Sequence, residues 1–128
     1  MSRSEMKKRV LIADDEANIV VSLEFLMAKC GYDIRVAPDG EAALRAVSEF
    51  RPDVMLLDIM LPLRNGFEVC QTVRENRELD NVKIVMLTAK GRDTEIAKGF
   101  AVGADAYITK PFSTRELLDT VKRLAGDR

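Results

Sequence analysis

Apolar and polar positions follow two different periods along this chain, and the changes of period divide it into elements. Val10-Leu11-Ile12-Ala13, Val54-Met55-Leu56-Leu57 and Ile84-Val85-Met86-Leu87 are short unbroken apolar runs bounded by charged or turn residues. Runs of that length are strands covered on both faces. Ile34 and Val36 instead alternate with Asp33 and Arg35, which predicts a half-exposed strand at a sheet edge. Ala106-Tyr107-Ile108 predicts a short last strand.

Between these runs the period lengthens. From Ala17 to Cys30, Ile19, Val20, Leu23, Leu26, Met27 and Cys30 recur at spacings of three and four, the mark of an amphipathic helix, and Gly31 ends it. Asp39 is an N-cap for a second helix with Ala43, Leu44, Val47 and Phe50 as its inner stripe, broken at Arg51-Pro52-Asp53. Pro62 to Gly66 reads as a loop, and Phe67 to Asn76 as a third helix turning Phe67, Cys70 and Val73 inward. Asp93 to Ala101 carries a thinner helical pattern on Ile96 and Phe100. Ser113-x-x-Glu116 reads as a capping box that opens a final helix with Leu117, Leu118, Val121 and Leu124 on one side.

Five strands alternating with five helices predict an α/β fold with a parallel sheet and right-handed crossovers. The wholly apolar strands belong in the middle and the alternating or short ones at the edges. That arrangement fits a single flavodoxin-like (βα)5 domain of strand order 2-1-3-4-5 with helices on both faces. The domain is expected over residues 9–125, after a flexible lead-in over 1–8, with 126–128 as its end or the start of a linker.

Composition narrows the function. At 128 residues the chain supports one core. With 20 basic against 21 acidic residues it has no charge excess to draw it to nucleic acid or an anionic membrane, and no stretch approaches the length of a membrane span. Cys30 and Cys70 fall in helical segments and no secretory leader precedes the first strand, so two reduced thiols in a cytoplasmic protein are expected. There is no histidine, which excludes a Ser-His-Asp triad, a His-ligated metal and a phosphohistidine within this chain.

An open parallel sheet places its site at the carboxyl ends of the central strands. Those ends carry Asp14-Asp15, Asp58, Thr88 and Lys110. Alone, an acidic pair is a helix cap, a threonine a turn residue and a lysine a surface charge. Placed together at four strand ends, they make three carboxylates, a hydroxyl and an ammonium around one pocket. Clustered carboxylates call for a cation, and with only oxygen donors the suitable ion is hard: Mg²⁺, or Mn²⁺ in its place. Phosphoryl transfer uses the same parts, with Lys110 and the metal supplying positive charge, Thr88 a hydrogen bond and Asp58 the nucleophile.

Asp14-Asp15, Asp58 followed at plus four and plus eight by Pro62 and Gly66, Thr88-Ala89 and Lys110-Pro111-Phe112 together resemble the receiver domains of two-component response regulators, from about Val10 to Leu124. The resemblance implies that Asp58 accepts a phosphoryl group from a phosphohistidine on a sensor histidine kinase or phosphotransfer protein. It implies Mg²⁺ bound by the carboxylates of Asp15 and Asp58, by Asp14 mainly through water, and by the backbone carbonyl of Met60. It also implies a cis peptide between Lys110 and Pro111, phosphoryl contacts from Thr88, the Ala89 backbone and Lys110, and an inward turn of Tyr107. The readout face would run from Asp93 to Lys122 and control an output domain or partner, as a monomer or a phosphorylation-dependent dimer. Met60 and Lys90 occupy the positions that set phosphate lifetime. Beyond catalysis of its own phosphorylation and slow self-dephosphorylation, no enzymatic turnover is implied.

Two other functions use similar parts. A flavin-binding relative needs a glycine- and hydroxyl-rich phosphate loop after the first strand, where Asp14-Asp15-Glu16 would repel phosphate. An aspartyl-phosphate-forming hydrolase needs a second acid two residues after the nucleophile, where this chain has Met60. A free-standing receiver and a receiver belonging to a larger regulator are both compatible with the sequence.

Overall fold

Successive residues of a strand face opposite ways, and here both sets are apolar, so each face of the sheet needs a layer of helices. In the computed structural model, which describes residues 7–89 and 93–126, both layers are present. Residues 1–6 of the expected lead-in, Lys90, and the last two residues lie outside the described residues. The strands are β1 (Arg9–Ala13), β2 (Asp33–Ala37), β3 (Val54–Asp58), β4 (Lys83–Ala89) and β5 (Ala106–Lys110). The helices are α1 (Ala17–Lys29), α2 (Gly40–Phe50), α3 (Gly66–Glu75), α4 (Asp93–Ala101) and α5 (Thr114–Ala125). All pairings are parallel, in the order β2-β1-β3-β4-β5.

Val10, Ile12, Val54, Leu56, Val85, Leu87 and Ile108 point to the α1/α5 side, where Leu23, Met27, Leu117 and Val121 meet them. Leu11, Ala13, Met55, Leu57, Ile84 and Met86 point to the other side, onto Ala43 and Val47 of α2 and Phe67, Cys70 and Val73 of α3. Every residue of β3 is buried, as expected for the central strand, whereas β2 exposes Asp33 and Arg35 at its edge.

The helix ends follow their local chemistry. Asp39 accepts a hydrogen bond from the Ala42 N–H at 2.7 Å and starts α2, and Arg51 ends it with a left-handed φ of 52°. Gly31 and Gly126 take the same left-handed turn after α1 and α5. Ser113 accepts from the Glu116 N–H as its pattern predicts. A box with both arms closed forms at Asn65 and Glu68, an Asn-x-x-Glu pattern read as loop and helix interior in the sequence; it moves the start of α3 back to Gly66.

Three further differences have physical causes. Cys30 caps α1 rather than belonging to it, because Gly31 turns the chain one residue later. A short 3-10 helix, Arg77–Leu79, capped by Asn76, buries Leu79 before β4. Phe100 is not an inner residue of α4: it is 46% exposed, and Gly99 faces the sheet instead, against Met86. Phe100 lies edge-on to Tyr107, with ring centroids 5.7 Å apart, on the outer surface.

Both cysteines are free. Cys70 is fully buried, and burial pushes its thiol up to about 11, with Sγ 3.5 Å from the Val102 carbonyl. Iodoacetamide at pH 8 should therefore label the folded protein at Cys30 well before Cys70, a difference that denaturant removes and peptide mass mapping measures.

Candidate functional site

Strand register brings the chemistry together. Ala13 pairs with Leu57, so the next residues, Asp14 and Asp58, emerge side by side at the crevice between β1 and β3, where the winding direction reverses. Asp58 pairs with Leu87, Thr88 with Thr109 and Ala89 with Lys110, which carries the same edge across to β5. Lys110 is the last residue of β5 rather than the residue beyond it, and its bond to Pro111 is cis.

Asp14, Asp58 and Thr88 are the buried polar residues of this core, at 1%, 4% and 2% exposure. Asp58 and Thr88 line a cavity of about 290 Å³ together with Asp15, Glu16, Met60, Ala89 and Lys110, among others. Asp15 lies on the exposed rim of this cavity. The Met60 side chain points mostly outward, at 67% exposure, while its N–H donates to Asp58 Oδ1 at 3.1 Å. Thr88 Oγ1 makes a long contact of 3.4 Å with the Ala89 carbonyl. Tyr107 is 41% exposed, on the outer surface of β5.

One ammonium serves several acids. Lys110 Nζ lies 2.8 Å from Glu16 Oε1, 3.0 Å from Asp14 Oδ2 and 3.5 Å from Asp58 Oδ1. Burial alone would lower the Lys110 pKa, but the hydrogen bond to Glu16 and the close negative charges of Asp14 and Asp58 outweigh it, so the ammonium is held more firmly than usual. Asp58 is pushed the other way: burial raises it, the Met60 N–H and Lys110 pull it down, and Asp14 and Asp15 raise it again, for a net upward shift. The upward shift is first of all the cost of burying the charge, to which the neighbouring acids add.

Asp14 Oδ1 accepts the Glu16 N–H at 2.9 Å. Its Oδ2 pairs with Lys110 by charge, yet the contact is not aligned as a hydrogen bond, and the buried oxygen is left without a donor. An orphaned, buried carboxylate oxygen is costly unless something else coordinates it. Single oxygens of Asp14, Glu16 and Asp58 lie within 4.8 Å of one another, close enough to share one cation. The donor set is all oxygen and fits a hard divalent ion such as Mg²⁺.

The site brings in one residue that the sequence reading used only as a negative charge. Glu16 follows the acidic pair directly, and a third consecutive acid at a helix start was the available signal. Gly66 also acquires a reason: a Cβ there would sit 2.6 Å from the Asp58 carbonyl oxygen and 2.8 Å from the Ile59 Cα. Its position eight residues after Asp58 thus has a steric cause, the close return of the β3–α3 loop onto the end of β3, where the Gly66 N–H donates to Ile59 O at 2.9 Å.

The chain matches the family model of the response regulator receiver domain over residues 10–122. Solved structures with this fold include a candidate response regulator from Chloroflexus aurantiacus, 34% identical, with a TM-score of 0.90, covering 94% of this chain and 98% of that one. The chemotaxis response regulator CheY4 of Vibrio cholerae is 32% identical, with a TM-score of 0.86 over 92% of this chain and 98% of that one. The receiver domain of the Pseudomonas aeruginosa sensor histidine kinase PA1611, whose structure has a magnesium ion coordinated in its active-site cleft, is 26% identical, with a TM-score of 0.86 over 94% and 99%. With the family matched along nearly its whole length and the acidic pocket at the carboxyl edge of its sheet, the chain belongs to the response regulator receiver domains of two-component signalling.

Proposed function

We propose that Asp58 is the phosphoryl acceptor of this receiver, charged by a phosphohistidine on a sensor histidine kinase or a phosphotransfer protein in the cytoplasm. The observation that carries this reading is the setting of Asp58: buried except toward the cavity, with Lys110 at 3.5 Å and Thr88 on the neighbouring strand end. Asp58 Oδ1 is engaged by the Met60 N–H, so Oδ2 is assigned the attack. A bond forms from Oδ2 to phosphorus as the phosphorus–nitrogen bond of the donor breaks, its electron pair leaving with the imidazole. Lys110 and Thr88 supply positive charge and a hydroxyl hydrogen bond to the transferring oxygens, and the Ala89 N–H adds a backbone donor.

Asp14, Asp15, Asp58 and the Met60 carbonyl are the oxygen donors from which a Mg²⁺ site would be drawn, with Mn²⁺ able to replace it. When bound, the ion neutralises the acids and polarises a phosphoryl oxygen. Phosphorylation adds nearly two negative charges and three acceptor oxygens at this strand end. Thr88 then moves toward the phosphoryl group, Tyr107 turns inward and leaves Phe100, and the α4–β5–α5 face, within Asp93 to Lys122, presents a different surface to an output domain or partner.

The acid excess yields a direct test. Millimolar Mg²⁺ should raise the thermal midpoint through binding to the folded state, and Asp14→Asn should reduce that rise. A midpoint indifferent to Mg²⁺ would mean that these carboxylates do not share an ion.

A further inference from the structure

Glu16 is at the N-cap of α1, where an acid is expected to bond the first free N–H groups of the helix; its side chain makes no capping bond. It reaches across instead to Lys110, 94 residues away, at 2.8 Å. Aspartate, serine or asparagine would cap this helix better, and any acid would suit its dipole. Neither role explains the extra methylene of glutamate; the span to Lys110 does. The glutamate side chain is 60% exposed while the lysine side chain is 16% exposed, so the solvated partner is the acid.

Resting on the phosphoryl-acceptor reading above, we infer that Glu16 is a positioning residue that holds the Lys110 ammonium on the α1 side of the cavity in the unphosphorylated state. Phosphorylation of Asp58 moves the ammonium from Glu16 to a phosphoryl oxygen. Lys110 stands nearer to Glu16 than to Asp58, at 2.8 Å against 3.5 Å, so a new anion on Asp58 must outcompete a carboxylate already in contact. Glu16 thereby sets how readily the switch closes, without touching the phosphoryl group.

The test uses beryllium fluoride, which caps a carboxylate as a phosphoryl mimic, with affinity measured by calorimetry at saturating Mg²⁺. Glu16→Gln removes the charge. Glu16→Asp keeps it but shortens the reach by about 1.5 Å. Both should tighten beryllium fluoride binding about three- to tenfold, the scale of one partly exposed charge-assisted contact. Mg²⁺ affinity should stay within about twofold of the parent, and Glu16→Gln should have no effect in a Lys110→Met background. Parent-like binding by Glu16→Asp would overturn the inference, because simple repulsion of the anion would then account for Glu16→Gln. A tenfold loss of Mg²⁺ affinity in Glu16→Gln would overturn it in favour of a metal ligand. If the parent bound no beryllium fluoride, the acceptor reading itself would fall, and the inference with it; parent binding that neither variant alters would overturn the inference alone.

Discussion

Gly66→Ala will destabilise the protein, although alanine is the better helix former by about 1 kcal/mol. Gly66 opens α3 with an ordinary negative φ, so backbone strain is not the cause. The new methyl would instead meet the Asp58 carbonyl oxygen at 2.6 Å and the Ile59 Cα at 2.8 Å. Both are backbone atoms of a fully buried strand end and cannot swing aside. Overpacking of this kind costs about 1–3 kcal/mol, and relief requires Asp58 or α3 to move. The expected result is a lower urea midpoint together with slower phosphoryl uptake, because the displaced atoms belong to the proposed acceptor. Gly99→Ala is the comparison: the nearest atoms to its methyl would be side-chain atoms, Met86 Cγ at 3.3 Å and Cε at 3.6 Å and Phe67 Cε1 at 3.9 Å, and its cost should be small. A Gly66→Ala protein as stable as the parent would contradict the tight return of this loop.

Lys110→Ala should lower stability further and disconnect phosphorylation from its consequence. The substitution leaves Asp14 and Asp58, with side chains 0% and 6% exposed, without their cation. Breaking a buried pair costs about 3–5 kcal/mol, an upper bound here because the cavity admits solvent and Glu16 is exposed. Mg²⁺ should recover a larger part of the thermal midpoint in this variant than in the parent, since the ion then does the work of two cations. The switch can be followed with fluorotyrosine, because the chain has two tyrosines. Tyr32 is buried at 6% exposure and serves as the internal standard, whereas Tyr107 reports the β5 surface. Phosphorylation should shift the Tyr107 resonance in the parent and leave it nearly in place in Lys110→Ala. A full shift in that variant would remove Lys110 from the coupling.

The strands and helices could be read from the sequence because both faces of the sheet are covered, which turns β1, β3 and β4 into uninterrupted apolar runs. The strand order followed from the contrast between those runs and the alternation in β2. The site was legible to the same degree, since a parallel sheet gathers its strand ends, and Asp14, Asp58, Thr88 and Lys110 each stand at one. What escaped was set by tertiary distances that carry no local pattern. Nothing in Asp14-Asp15-Glu16 indicates that the third acid, rather than the second, reaches Lys110. Likewise, Phe100 fits the helical period of α4, yet Gly99 faces the sheet against Met86 while Phe100 lies edge-on to Tyr107 on the outer surface.

Asp58 is the proposed acceptor in this pocket, and acetyl phosphate can load it without a kinase. Incubation with acetyl phosphate and Mg²⁺, followed by intact mass and by hydroxylamine treatment with peptide mapping, tests it most directly. The expected result is one added phosphoryl group, absent with EDTA and absent in Asp58→Asn, and a hydroxamate at residue 58. A phosphoryl gain of the same size in Asp58→Asn, or a hydroxamate on another acid, would contradict it.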